Sequence, residues 1–167
     1  NAVAASDYTE QDLGAQFDTL SVCLSKGLGA PVGSLLLGDA QAIRQARRIR
    51  KVLGGGMRQS GLLAAAGTYA LRHHRQRLQE DHAHAQQAAA WLQQHPKIET
   101  VLPVPTNIVI ANTKSGVSAA ALVAAWEAQG IRALAIGPQQ IRLVLHLDVT
   151  PAHMQQLEQR LAVPLLN

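Results

Sequence analysis

The residues best equipped for chemistry are one lysine, two cations beside a glycine run, and one arginine in an alternating apolar stretch. Lys26 lies in the string Ser21-Val22-Cys23-Leu24-Ser25-Lys26-Gly27-Leu28-Gly29-Ala30-Pro31-Val32-Gly33-Ser34. The apolar runs Thr19–Leu24 and Val32–Leu37 predict strands on either side of it. Lys26 is therefore expected at a strand end, on a turn whose glycines let the backbone pass close to a bound group. Enclosure there would strip water from the amine and favour its neutral, nucleophilic form. That is what a Schiff-base lysine needs, whether its carbonyl partner is a substrate or pyridoxal phosphate. The plainer alternative is a solvated lysine in a glycine turn.

Lys51 and Arg58 flank Gly54-Gly55-Gly56. A helix beginning after such glycines offers backbone N–H groups to an anion, and Arg58 adds a guanidinium; a flexible hinge is the alternative. In Ile141 to Leu147 the odd positions, Ile141, Leu143, Leu145 and Leu147, share one face, and Arg142, Val144 and His146 share the other. Arg142 is thus a cation on a rigid element, pointing away from the apolar side, which by itself describes a solvent-facing arginine. His73, His74, His82 and His84 do not have metal-ligand spacing: residues two apart point about 200° apart on a helix, and no Cys or carboxylate completes a known set. They read as surface histidines, and no metal is expected.

The elements that must position these groups follow from local signals. Ala2 to Ala5 reads as a helix tail, Thr9 caps a short helix over Glu10–Ala15, and Asp39 caps one from Ala40 to Leu53. The apolar stripe of that second helix is Ala42, Ala46, Ile49 and Leu53. Its other side carries Arg44, Arg47, Arg48 and Lys51, a solvated basic face without the interleaved aromatics that nucleic-acid binding would use. After the glycines a long helix is expected from Met57 or Gln59 to about Arg77, with a continuation to Trp91 as the alternative. Its small residues, Ala64, Ala65, Ala66, Gly67 and Ala70, allow close approach of a neighbour. His95-Pro96 marks the domain boundary, giving 1–95 and 96–167. Strands at Ile98–Leu102, Thr106–Ala111, Ile131–Leu134 and Gln140–Leu147 follow. A helix capped by Ser118 and closed by Gly130, and a last one opened by Thr150-Pro151, complete a small α+β domain with helices on one face of an antiparallel sheet.

Composition agrees with a globular chain. Of 167 residues 47% are hydrophobic but only 3% aromatic, so the core must come from Ala, Leu, Val and Ile. The net charge of +4 permits anionic ligands without requiring them. A single cysteine, Cys23, excludes an internal disulfide and fits a reducing compartment. No apolar run approaches a membrane span, and no signal peptide opens the chain.

The string SVCLSKGLGAPVGS, followed by Arg50-Lys51 and then Gly54-Gly55-Gly56-Met57-Arg58-Gln59-Ser60-Gly61, resembles the low-specificity L-threonine aldolases. The likeness runs from Asn1 to about Pro164, through Glu80-Asp81-His82 and Thr106-Asn107, to Arg142-Leu143-Val144-Leu145-His146-Leu147-Asp148-Val149. Leu145 stands where the family often has Thr, a change on the core face. The resemblance implies an α/β fold, the C-terminal part of a fold-type I pyridoxal-phosphate enzyme: the end of the large cofactor-binding domain and the small C-terminal domain. By it, roughly the N-terminal half is absent, with the phosphate loop, the ring-stacking histidine and the aspartate facing the pyridine nitrogen. It implies cleavage of L-threonine or L-allo-threonine to glycine and acetaldehyde, with Lys26 holding pyridoxal 5'-phosphate. Lys51 and Arg58 would assist at the cofactor phosphate, and Arg142 would grip the substrate carboxylate. It further implies a cytoplasmic homo-oligomer, a dimer of dimers with active sites at subunit interfaces, acting on a small amino acid without nucleic acid or membrane. The competing expectations are a related β-eliminating lyase and a catalytically incomplete fragment. The strands beside Lys26 are expected in a larger, mostly parallel sheet, so that the chain alone would self-associate through Phe17–Leu37 or fold only beside its missing half.

Overall fold

The computed structural model describes residues 1–163; Pro164, where the likeness ends, lies outside them. Two compact units form, Asn1–Arg77 and the chain from Leu78 onward. The division falls ahead of the helix before Pro96, because that helix buries Ala85, Ala88 and Leu92 in the core of the second unit.

In the first unit a short 3-10 turn, Val3–Ala5, replaces the expected helix tail. Thr9 opens α1 (Glu10–Gly14) with a capping box: its hydroxyl accepts the Asp12 N–H at 3.1 Å, and the Asp12 carboxylate accepts the Thr9 N–H at 2.9 Å. Strands β1 (Thr19–Cys23) and β2 (Ser34–Gly38) pair antiparallel, with Val22 opposite Leu35. The expected parallel arrangement does not join these two, because the link Leu24–Gly33 is too short for the crossover that parallel neighbours need. Every residue of β2 is exposed within this chain.

Asp39 starts α2 (Ala40–Val52) by accepting the Ala42 N–H at 2.7 Å. Only the first half of its apolar stripe finds cover: Ala42 and Ala46 are half-buried, while Ile49 and Leu53 are exposed. The helix ends in a Schellman motif. Gly54 takes a left-handed φ of 84°, its N–H reaches the Lys51 carbonyl at 3.2 Å, and the Gly55 N–H reaches Arg50 at 2.8 Å. The next helix, α3, starts at Gly61 and not at Met57 or Gln59, because Gln59 has a positive φ of 52°. It ends at His73, close to the stop expected near Arg77, and α4 (Leu78–Gln94) is a separate helix, so the alternative of one helix continuing to Trp91 does not hold.

The second unit is a four-stranded antiparallel sheet in the order β3 (Ile98–Val101), β4 (Ile108–Thr113), β6 (Gln140–Val144), β5 (Leu134–Gly137). Helices α4, α5 (Ala119–Ala128) and α6 (Pro151–Leu161) cover one face, as the pattern predicts. Strand β5 begins three residues later than expected. Ile131 is spent instead on closing α5, where its N–H reaches the Trp126 carbonyl at 2.9 Å and its side chain is buried. The core is aliphatic except for Trp126, which is 1% exposed and meets the His95 ring edge-on at 5.4 Å. Ser118 and Thr150 cap α5 and α6 as expected, Thr150 through a reciprocal box with His153.

Candidate functional site

Lys26 sits on the turn that reverses β1 into β2, and the turn is held by its own backbone. The Leu24 N–H donates to Gly33 (2.9 Å), the Ala30 N–H to Leu24 (2.9 Å), and the Gly29 N–H to the Lys26 carbonyl itself (2.8 Å). Gly29, at φ 67°, permits that last closure. Leu24 and Ala30 are buried, with Leu28 packed beside them, against Ala70 of α3. Gly67 is what admits Leu24: a Cβ there would stand 2.9 Å from Leu24 Cδ1. The lysine is thus carried on a rigid base.

Its side chain, however, is exposed. The enclosure expected from sequence is not provided: the buried contacts of the turn belong to Leu24 and Ala30, not to Lys26. Lys26 Nζ makes no ion pair or hydrogen bond among the described residues, so no carboxylate competes for it.

Lys51 lies in the last turn of α2 and its stem runs along Gly56, where a Cβ would stand 2.9 Å from Lys51 Cδ. Arg58 lies between α2 and α3, and both cations are exposed. The Ser60 side chain makes no cap bond to α3, so the first amides of that helix stay open. Lys26, Lys51 and Arg58 belong to the first unit and Arg142 to the second.

Arg142 sits in the middle of β6, opposite Ile110 on β4 and Leu134 on β5. The expected alternation holds: Ile141, Leu143 and Leu145 are buried, whereas Arg142 is half-buried and Val144 and His146 are exposed on the face the helices leave open. Arg142 Nε is enclosed without a hydrogen-bond partner among the described residues. A guanidinium N–H so placed costs stability unless an acceptor arrives, which suits a carboxylate-binding residue. Leu145 is 4% exposed, a core position where the replacement of Thr leaves the open face unchanged. Asn107 fixes the strand end beyond Arg142: its side-chain amide donates to the Leu145 carbonyl at 2.8 Å, and the Leu145 N–H donates to Asn107 at 2.9 Å.

The histidines divide more sharply than their sequence context suggests. His73 is exposed, as expected, but His82 is buried and burial pushes its pKa down. His74 is half-buried, with Nδ1 2.7 Å from the Leu28 carbonyl. Both lose their surface character because α3 and α4 each turn one side toward packed neighbours. Sequence reasoning expected a close neighbour at the small residues around Gly67, but it identified neither Leu24 as that neighbour nor the role of His74. A glycine inside an alanine-rich helix was the available signal, since it costs about 1 kcal/mol there and implies a close neighbour. No group of three or more His, Cys, Asp or Glu side chains able to hold a metal ion occurs among the described residues.

Residues 1–116 match the family described as beta-eliminating lyase. The chain is 42% identical over 159 residues to the low-specificity L-threonine aldolase of Escherichia coli O157:H7, covering 94% of this chain and 46% of that relative. It is 41% identical over 136 residues to low-specificity L-threonine aldolase 1 of Arabidopsis thaliana, covering 80% of this chain and 38% of the relative. The chain therefore spans less than half the length of these relatives. Among solved structures it resembles a candidate L-allo-threonine aldolase from Listeria monocytogenes, with a TM-score of 0.74 at 14% identity over 95% of this chain and 48% of that one. A methionine gamma lyase from Micromonospora echinospora superposes with a TM-score of 0.65 at 20% identity, over 91% of this chain and 51% of that one. At such identities the likeness is one of fold, and the fold is the one expected, the later part of a fold-type I α/β enzyme.

Proposed function

The chain belongs to the beta-eliminating lyase family, and on that premise we propose that it is the lysine-bearing part of a pyridoxal-phosphate-dependent aldolase. Its reaction is cleavage of L-threonine or L-allo-threonine to glycine and acetaldehyde. The observation that carries this reading is Lys26, an exposed amine without an acidic partner on a turn tied down by three backbone hydrogen bonds. Such an amine is open to a cofactor aldehyde, is held by no carboxylate and stands on a fixed base.

Each of the four cations then has a task. Lys26 Nζ attaches the cofactor, while Lys51 and Arg58 balance its phosphate charge. Arg142, with its unpartnered Nε, takes the substrate carboxylate and so sets the orientation of the bond to be broken. Bound pyridoxal phosphate supplies the electron sink for Cα–Cβ cleavage.

The active site is proposed to lie at a subunit interface of a homo-oligomer, a dimer of dimers, and the exposed strand β2 and the apolar end of α2 support that reading. No described helix is long and apolar enough to cross a membrane, and Cys23 is unpaired; both accord with a cytoplasmic enzyme. The domain boundary of the whole enzyme is proposed at Pro96, between 1–95 and 96–167. A β-eliminating lyase is the second reading, favoured by the family description itself. Product analysis separates the two: acetaldehyde and glycine from L-threonine support the aldolase, whereas pyruvate from serine without acetaldehyde from threonine would replace it.

A further inference from the structure

We propose that His74 is a positioning residue for Lys26, holding the lysine turn on α3 through the Leu28 carbonyl. The inference rests on the reading of Lys26 given above. His74 is the C-cap residue of α3, and its own N–H closes the helix on the Ala70 carbonyl at 2.8 Å. Its ring reaches across 46 positions of sequence to bring Nδ1 within 2.7 Å of Leu28 O. A carbonyl oxygen only accepts, so Nδ1 carries the hydrogen and His74 is the donor. The tautomer is fixed by that bond, and protonation at Nε2 leaves it intact.

Leu28 is the second residue after Lys26, inside the segment closed by the Gly29 N–H on the Lys26 carbonyl. The other attachments of the turn to α3 are apolar: Leu24 over Gly67, and Ala30 and Leu28 near Ala70. Apolar contacts resist lifting but do not fix direction. The His74 hydrogen bond is directional, and it acts at the tip of the turn where the apolar cluster ends. Tyr69, five residues back, meets the ring edge-on at 5.5 Å. The heading of Lys26 is thereby set by two sequence-distant elements, β1 and the end of α3.

The test compares His74→Ala and His74→Asn in the full chain. The amide nitrogen of Asn stands close to the imidazole Nδ1 position and can donate to the same carbonyl. Two readouts are taken: hydrogen exchange of the Gly29 and Ala30 amides, and the rate at which borohydride fixes pyridoxal phosphate to the Lys26 peptide. His74→Ala is expected to speed exchange of both amides about tenfold, the value of one hydrogen bond, and to slow fixation, with Asn restoring both. Unchanged exchange in His74→Ala, or failure of Asn to restore it when thermal melting shows both variants folded, overturns the proposal. If the unaltered chain is not labelled at Lys26, the reading of Lys26 fails. The amide arm still decides whether His74 fixes the turn.

Discussion

Replacing Gly67 by alanine tests the seat of the lysine turn. Alanine inside a helix is better than glycine by about 0.8–1 kcal/mol, so at an open helix position Gly67→Ala would stabilise. Here the new Cβ stands 2.9 Å from Leu24 Cδ1, and Leu24 is only 6% exposed, with little room to swing away. Overpacking of this kind costs about 1–3 kcal/mol, so the single variant is expected to lose up to about 2 kcal/mol. Leu24→Ala removes the clashing atom at its own cost of about 2–5 kcal/mol. Gly67→Ala made in that background should regain about 1 kcal/mol, the helix term alone. The two changes are therefore coupled by about 1–3 kcal/mol, measured as a double-mutant cycle. Urea titrations read by hydrogen exchange over residues 19–38 provide the four stabilities. Additivity, with Gly67→Ala stabilising equally in both backgrounds, would refute the packing of Leu24 on α3 that carries the lysine.

Two further outcomes follow from the second unit. Arg142→Lys replaces a planar fork by a point charge and is expected to raise the KM for threonine about ten- to more than a hundredfold, for a loss of about 1.5–3 kcal/mol; an unchanged KM would remove Arg142 from the substrate site. His95 is buried, and burial first, then Lys97, holds its pKa below the ordinary histidine value near 6.5. The unfolded chain therefore binds a proton that the folded one resists. Stability is held above about pH 6.5 and lost as pH falls through the lower folded value. Trp126 fluorescence should report that loss, and His95→Asn should flatten the dependence below pH 6.5; an equally steep acid limb in the variant would assign it to other groups.

How far the chain could be read depended on the range of the interaction. Thr9, Asp39, Ser118 and Thr150 were legible as caps because a cap bonds amides two or three residues on. Alternation placed Arg142 on the open face because sheet parity needs only neighbours in sequence. The stop near Arg77 was legible only beside a continuation to Trp91, because residues 74–77 contain neither Gly nor Pro to enforce a break. The delayed start of β5 reflects competition, since Ile131 is more valuable as a buried stop for α5 than as a strand residue. The exposure of Lys26 was out of reach for a different reason. Burial of a turn is decided by whatever packs above it, and no local pattern carries that information. His74 read as a surface histidine because its partner, Leu28, is 46 residues away.

The central claim is that Lys26 is the amine that holds the cofactor, and one measurement addresses it directly. The chain is incubated with pyridoxal phosphate, reduced with borohydride and digested, and the modified peptide is sequenced by mass spectrometry. The account predicts the label on Lys26, within Ser21–Ser34, and its loss in Lys26→Ala with Lys51 still unlabelled. A label that survives in Lys26→Ala and maps to Lys51, or to no single lysine, would contradict it.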